Sequence, residues 1–92
     1  MKNINYYLDE FKKIESIESD NELSKRIGVN RQQIYKVRKG KGWSIGMKKF
    51  VEIAKKLKIN EMEIIATIKA EKEKDEEIKK IWIRLAEEKS NK

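Results

Sequence analysis

Gly28 lies between two short amphipathic runs, and no other feature of the chain narrows its fold as far. Residues 20–39 read DNELSKRIGVNRQQIYKVRK. Leu23 and Ile27, four apart, mark the inner face of a first helix; Ile34 and Val37, three apart, mark that of a second. Ser24 falls where two such helices cross, and its small side chain lets the backbones approach. Gly28 follows the last turn of the first helix, where a left-handed φ closes the helix and glycine alone adopts it without penalty. Val29 then turns inward. Asn30 N-caps the second helix, with Gln33 three residues on to complete a capping box. These signals predict two helices set at a steep angle across a turn of three or four residues.

The outer face of the second helix carries the chemistry. Opposite Ile34 and Val37 stand Arg31, Gln32, Lys36 and Lys39, flanked by Gln33 and Tyr35. Arginine offers two donors to guanine O6 and N7, glutamine pairs in the same bidentate way with adenine N6 and N7, and lysine mainly neutralises phosphate. Residues 23–51 contain no acidic side chain, yet they hold Lys25, Arg26, Arg31, Lys36, Arg38, Lys39, Lys41, Lys48 and Lys49. A lysine-rich protein can also carry a merely solvated basic face. The turn glycine, the small crossing residue and the capped Arg-Gln-Gln start together favour a reader of duplex DNA.

Residues 20–39, extended through Leu57, resemble the helix-turn-helix of phage repressors and Cro-like regulators. The small residue, turn glycine and two apolar residues of that pattern match Ser24, Gly28, Ile34 and Val37. A loop glycine matches Gly40, and a core helix matches residues 44–57, which include the run FVEIAKKL. The resemblance covers roughly two-thirds of the chain, and it extends to small phage-encoded proteins of this family that carry an extra C-terminal helix. It implies base reading by Arg31, Gln32 and Lys36, with Gln33 and Lys39 nearer the phosphates. The loop after the recognition helix would touch backbone phosphates through Lys39 and Lys41. One position departs from the pattern. The family often opens the motif with a phosphate-touching glutamine, whereas this chain has Asp20, which repels DNA unless it is consumed as a helix cap.

Composition narrows the function classes. The 92 residues suffice for one domain with one modest core. Proline is absent and only four glycines interrupt the chain, which favours an all-α fold. The net charge of +7 suits a polyanionic partner. Without cysteine there is no disulfide or thiolate chemistry; without histidine the commonest general base and metal ligand are missing. No catalytic group, metal site or cofactor is expected, and no small-molecule ligand. No apolar run is long enough for a bilayer and no signal-peptide core is evident, so the expected location is cytoplasmic.

The rest of the chain reads as further helices. Tyr7, Leu8, Phe11 and Ile14 form one stripe in residues 4–17, opposite Lys12 and Lys13. Ser19 with Glu22, and Asn60 with Glu63, have capping-box spacing. Trp43 is expected on the core and Ser44 as the cap of a helix whose inner face is Met47, Phe50, Val51, Ala54 and Leu57. In the next helix the expected buried stripe is Met62, Ile65 and Ile68. Residues 71–77 are wholly charged and read as a solvated helix end and linker. Asp75 then caps a last helix with the stripe Ile78, Ile81, Trp82 and Leu85, which needs either a second copy of the chain or its own domain to cover it.

The expected architecture is thus all-α: a five-helix phage-repressor-like helix-turn-helix domain over residues 1–70 and a charged helical extension with an amphipathic helix over residues 71–92. The expected function is sequence-specific double-stranded DNA binding, as a small transcriptional repressor or regulator acting as a homodimer. The competing class is a helical interaction module, or a phage replication factor, whose basic face docks an acidic partner or binds DNA non-specifically.

Overall fold

The computed structural model describes residues 2–90 as six helices, with no strand among them. They are α1 (Ile4–Ile14), α2 (Asp20–Ile27), α3 (Arg31–Arg38), α4 (Met47–Leu57), α5 (Glu61–Lys72) and α6 (Glu76–Ser90). The chain is therefore all-α, as its composition implies. Among the described residues no helix is long and apolar enough to cross a membrane.

One core joins the first five helices. It gathers Ile4, Tyr7, Leu8 and Phe11 from α1, Leu23 and Ile27 from α2, and Ile34 and Val37 from α3. Phe50, Ile53 and Ala54 of α4 and Ile64 and Ile68 of α5 complete it, together with Ile17 and Ile45 from the connections. Each large side chain buried this way contributes about 1.5–3 kcal/mol relative to exposure. Trp43 folds back against this core, its ring tilted 57° to that of Phe50 at 6.4 Å.

Four of the six helices stop in the same way. After each, one residue takes a left-handed φ and the next donates its N–H to a carbonyl five residues back, the Schellman arrangement. Val29 donates to Ser24 (2.9 Å), Lys41 to Lys36 (2.9 Å), Ile17 to Lys12 (2.8 Å) and Ile59 to Ala54 (3.1 Å). Glycine occupies the left-handed position after α2 (Gly28, φ 80°) and α3 (Gly40, φ 69°); Ser16 (φ 57°) and Lys58 (φ 61°) take it after α1 and α4. In three of these ends the following residue is apolar and packs on the core: Ile17, Val29 and Ile59. After α3 it is Lys41, which is exposed.

Several sequence expectations shift once the helices pack. Ile14 lies 50% exposed, because α1 ends there and the Schellman turn carries Ile17 inward in its place. The α4 helix starts at Met47 rather than Ser44. Its N-cap is Gly46, with no side-chain cap bond, and Ile45 plugs the core just ahead of it. Ile53 is buried in α4, while Val51 is only partly so. Ser19 does cap α2 by accepting from the Glu22 N–H at 3.1 Å, but the Glu22 carboxylate accepts from Glu18 rather than from Ser19. Asn60 caps α5 by accepting from Met62 (2.8 Å), and no capping box forms with Glu63. The Glu63 side chain is instead 4% exposed and accepts a 2.5 Å hydrogen bond from the Tyr7 hydroxyl. Burial, and then that bond, hold the Tyr7 phenol well above its ordinary pKa.

The largest departure concerns α5 and α6. At 100° per residue, Ile64 and Ile68 share one side of α5 and face the core, whereas Ala66 and Ala70 lie on the other. Both alanines and Thr67 between them are fully buried, and Met62, expected inside, is exposed. The cover is α6, which packs along α5 more extensively than any other pair of helices in the molecule and buries its own Ala86 there. Small side chains on both helices permit that close approach. The charged run at residues 71–77 is accordingly not a wholly solvated linker: α5 continues to Lys72, and only residues 73–75 separate the two helices. Within that run Glu71 is partly buried and accepts the Ile4 N–H at 2.6 Å, which satisfies a free amide at the start of α1. Asp75 caps α6 as expected, accepting from Glu77 (2.9 Å) and Ile78 (3.1 Å).

Candidate nucleic-acid interface

The local chemistry around residues 19–41 builds a short helix pair with a fixed outer face. Ser24 is 2% exposed at the α2–α3 contact, and its hydroxyl donates to the Asn21 carbonyl at 2.7 Å, so the one polar group there is satisfied. The three residues 28–30 make the turn. Asn30 then starts α3 with a complete capping box. The Gln33 N–H donates to Asn30 Oδ1 (2.8 Å) and the Asn30 N–H donates to Gln33 Oε1 (2.9 Å).

Burial of Ile34 and Val37, 0% and 1% exposed, fixes how α3 is turned about its axis. The helical period then directs Gln32, Tyr35, Lys36 and Lys39 away from the core, with Arg31 at their edge on the first turn. All five are exposed. Tyr35, placed as a flanking residue by sequence, is 56% exposed near the middle of this face, with Lys39 Nζ 5.7 Å from its ring centroid. Lys41 is exposed immediately beyond, and the stem of Lys36 lies close to Gly42, so the loop runs alongside the helix. Gln33 belongs to this face only in part. Its oxygen serves the cap and its Nε2 donates to the Ser44 carbonyl at 3.3 Å, which commits the amide to holding the loop on α3.

The nine cations of residues 23–51 are not equivalent. Arg26 pairs with Glu15 at 2.7 Å. Arg38, on the side of α3 nearest α1, is drawn into a cluster with Asp20, Asp9 and Asn5. Nε donates to Asp20 Oδ2 (2.7 Å), Nη2 to Asp20 Oδ1 (3.0 Å) and Asp9 Oδ1 (2.8 Å), and Nη1 to Asn5 Oδ1 (3.0 Å). Lys12 donates to the same Asp20 at 3.0 Å. Among the described residues, Lys25, Arg31, Lys36, Lys39, Lys41, Lys48 and Lys49 form no ion pair. Lys25 and Lys49 share a cleft with Glu15 and Glu52, whereas Arg31, Lys36, Lys39 and Lys41 on α3 and its following loop project a positive potential that a polyanion can neutralise.

Asp20 is where sequence reasoning misplaced a role. It is not a helix cap, since Ser19 performs that function. Its charge is met by Arg38 and Lys12. Burial alone would raise its pKa, but the hydrogen bonds from Arg38 and then Lys12 outweigh burial and hold the carboxyl below 3.8. Arg38 likewise leaves the outer cationic set and becomes the brace that ties α3 to α1 and α2. The only sequence signal for this pairing was an acid where the motif usually has a neutral amide. Comparison with protein-family models, with curated proteins and with solved structures returns no match to this chain.

Proposed function

We propose that the chain is a sequence-specific double-stranded DNA-binding protein, of the helix-turn-helix kind found in small phage-type repressors, and that it lays α3 in the major groove. One observation carries this reading. Arg31, Gln32, Tyr35, Lys36 and Lys39 form an exposed, acid-free face on a helix whose rotation is fixed by Ile34 and Val37 and whose flank is braced by Arg38. Arg31 and Gln32 stand on the first turn, the part of a recognition helix that meets base edges. Both side chains have the paired hydrogen-bonding groups that distinguish guanine and adenine there. Lys39 and Lys41, at the far end and in the loop, are placed for phosphates, and Lys36 lies between the two roles.

The test is selection of binding sites from a random duplex pool, followed by titration of the selected site against its scrambled version. A preference of at least about a thousandfold is the expected outcome for a specific binder. Equal binding to both duplexes, with a steep salt dependence, would reduce the function to non-specific polyanion binding. No binding to either would assign the basic face to an acidic protein partner instead.

A further inference from the structure

Packing on α5 does not use up the apolar surface of α6. Trp82, Ile83 and Leu85 are half-buried and Ala86 is fully so, but Ile78 and Ile81 remain 44% and 48% exposed. On a helical period Ile78, Ile81, Trp82 and Leu85 share one stripe, roughly a quarter-turn from the side that meets α5. Along the solvent flank of that stripe lie Glu77 and Arg84, both exposed and neither forming an ion pair among the described residues. The sequence expectation offered a second copy or the chain's own domain as alternative covers for this stripe. The structure divides the helix, with one side on α5 and the isoleucines facing out.

We infer that the outward face of α6 docks on the same face of a second copy, with the two helices antiparallel about a two-fold axis at Ile81. Three features agree on that arrangement. An antiparallel two-fold brings the same flank of each helix together, and an axis at Ile81 sets Ile81 against its own equivalent. It also lets Ile78, three residues before the axis, fall between the levels of Trp82 and Leu85 of the second copy, one and four residues after it. Finally, it brings Glu77 within one residue, about 1.5 Å of rise, of the level of Arg84 of the second copy, and Arg84 equally close to the other Glu77. A parallel two-fold pair would instead carry this flank to opposite edges of the seam, where Glu77 and Arg84 meet neither each other nor their own equivalents, so only the antiparallel form pairs the charges. Such an interface is isologous, as a closed dimer requires. The apolar patch is small, two isoleucines with the exposed parts of Trp82 and Leu85, which places the contact among weaker interfaces. The inference stands independently of DNA binding, because α6 contributes nothing to the face of α3.

Sedimentation equilibrium of the full chain without DNA tests it, with circular dichroism to follow helix content. The wild type is expected to dimerise at concentrations of about 10–100 µM, as suits a small interface. Ile81→Glu is expected to leave helix content unchanged, because the side chain is half-exposed, and to give a monomer. Glu77→Arg and Arg84→Glu each create like-charge opposition and are expected to weaken dimerisation by at least about tenfold. The double variant Glu77→Arg/Arg84→Glu is expected to restore it, which only the antiparallel register achieves. A wild type still monomeric at about 100 µM would overturn the proposal. So would a dimer indifferent to Ile81→Glu, or single charge variants that the double does not rescue.

Discussion

Arg38 holds Asp20 with two hydrogen bonds, Nε to Oδ2 at 2.7 Å and Nη2 to Oδ1 at 3.0 Å, across eighteen residues of chain. The bidentate pair joins the last turn of α3 to the first turn of α2, and Asp9 and Asn5 extend it to α1. A helix of eight residues is too short to be stable by itself, so its orientation comes from such contacts and from Ile34 and Val37. Arg38→Ala is therefore expected to lower stability by about 1–2 kcal/mol, less than for a fully buried pair because Asp20 retains about a third of its exposure. If the residue braces rather than binds, the dependence of DNA affinity on salt stays as in the wild type. A reduced salt slope for Arg38→Ala would instead mean that the guanidinium contacts phosphate.

Acid should open the same brace. The folded pKa of Asp20 lies below its unfolded value of 3.8, so its contribution is fully present above that value and is lost as pH falls through the lower, folded one. Glu71 acts in the opposite sense. Burial raises its pKa above 4.5 despite the Ile4 N–H, so its ionisation lowers stability as pH rises through that range. Comparing thermal unfolding of the wild type with that of Asp20→Asn from pH 5 downward isolates the first effect. The gap between the two proteins should narrow as the wild-type carboxyl protonates; a constant gap would mean that Asp20 is not charge-paired in solution.

The left-handed ends of the helices give a pair of opposite expectations. Gly28→Val forces a β-branched residue to φ near 80° and should cost about 1–3 kcal/mol. The nearest atom to an added Cβ is the flexible tip of Lys49, so backbone strain decides the outcome rather than collision. Lys58→Gly removes the corresponding strain after α4 and should stabilise by a few tenths to about 1 kcal/mol, the αL penalty offset by greater freedom in the unfolded chain. Urea titration of both variants checks the pair, and the two shifts must have opposite sign.

How much of this was readable beforehand depended on distance along the chain. Gly28, Asn30 with Gln33, and Asp75 act on residues within a few positions, so their geometry is written locally and appears as expected. The Arg38–Asp20 brace and the Tyr7–Glu63 bond join residues eighteen and fifty-six apart, and spacing carries no trace of them. In α4, Val51 and Ile53 lie on opposite flanks of the Phe50–Ala54 centre, so periodicity favours neither, and the neighbouring helices decide that Ile53 is the one buried. In α5 the search for a single apolar stripe failed because the helix is covered on two sides. Its second seam is built of Ala66, Thr67 and Ala70, which hydrophobic periodicity hardly registers. The outer face of α3 was legible because two core residues, Ile34 and Val37, suffice to set it.

On that face the side chains are expected to separate into two classes. Gln32→Ala should cost roughly 1–3 kcal/mol at the selected site and relax the choice of one base pair. Lys39→Ala should weaken every duplex about equally and flatten the salt slope. Gln33→Ala should register mainly as lost stability, about 0.5–2 kcal/mol, since its amide completes the cap and holds Ser44. A Gln32→Ala protein with unchanged affinity and preference would show that the reading face is turned elsewhere.

The α5–α6 seam gives the last expectation, and it separates the two sides of α6. Ala70 is fully buried on the α6 side of α5, and Ala86 is 3% exposed on α6 itself. Small residues let the helix axes approach closely, so adding three carbons at either place pushes α6 away from its neighbour along its length. Ala70→Leu or Ala86→Leu should therefore destabilise by about 1–3 kcal/mol through overpacking. Removal of residues 75–92 should do more, because it uncovers Ala66, Thr67 and Ala70 at once and leaves that side of α5 in water. Substitutions at Ile78 and Ile81, on the outward stripe, should leave the melting temperature within a few degrees of wild type, as about 0.5 kcal/mol or less is usual for exposed positions. Differential scanning calorimetry at low protein concentration, where self-association does not contribute, compares the three groups directly. A truncated chain that melts like the full one would mean that α6 does not pack on α5 in solution.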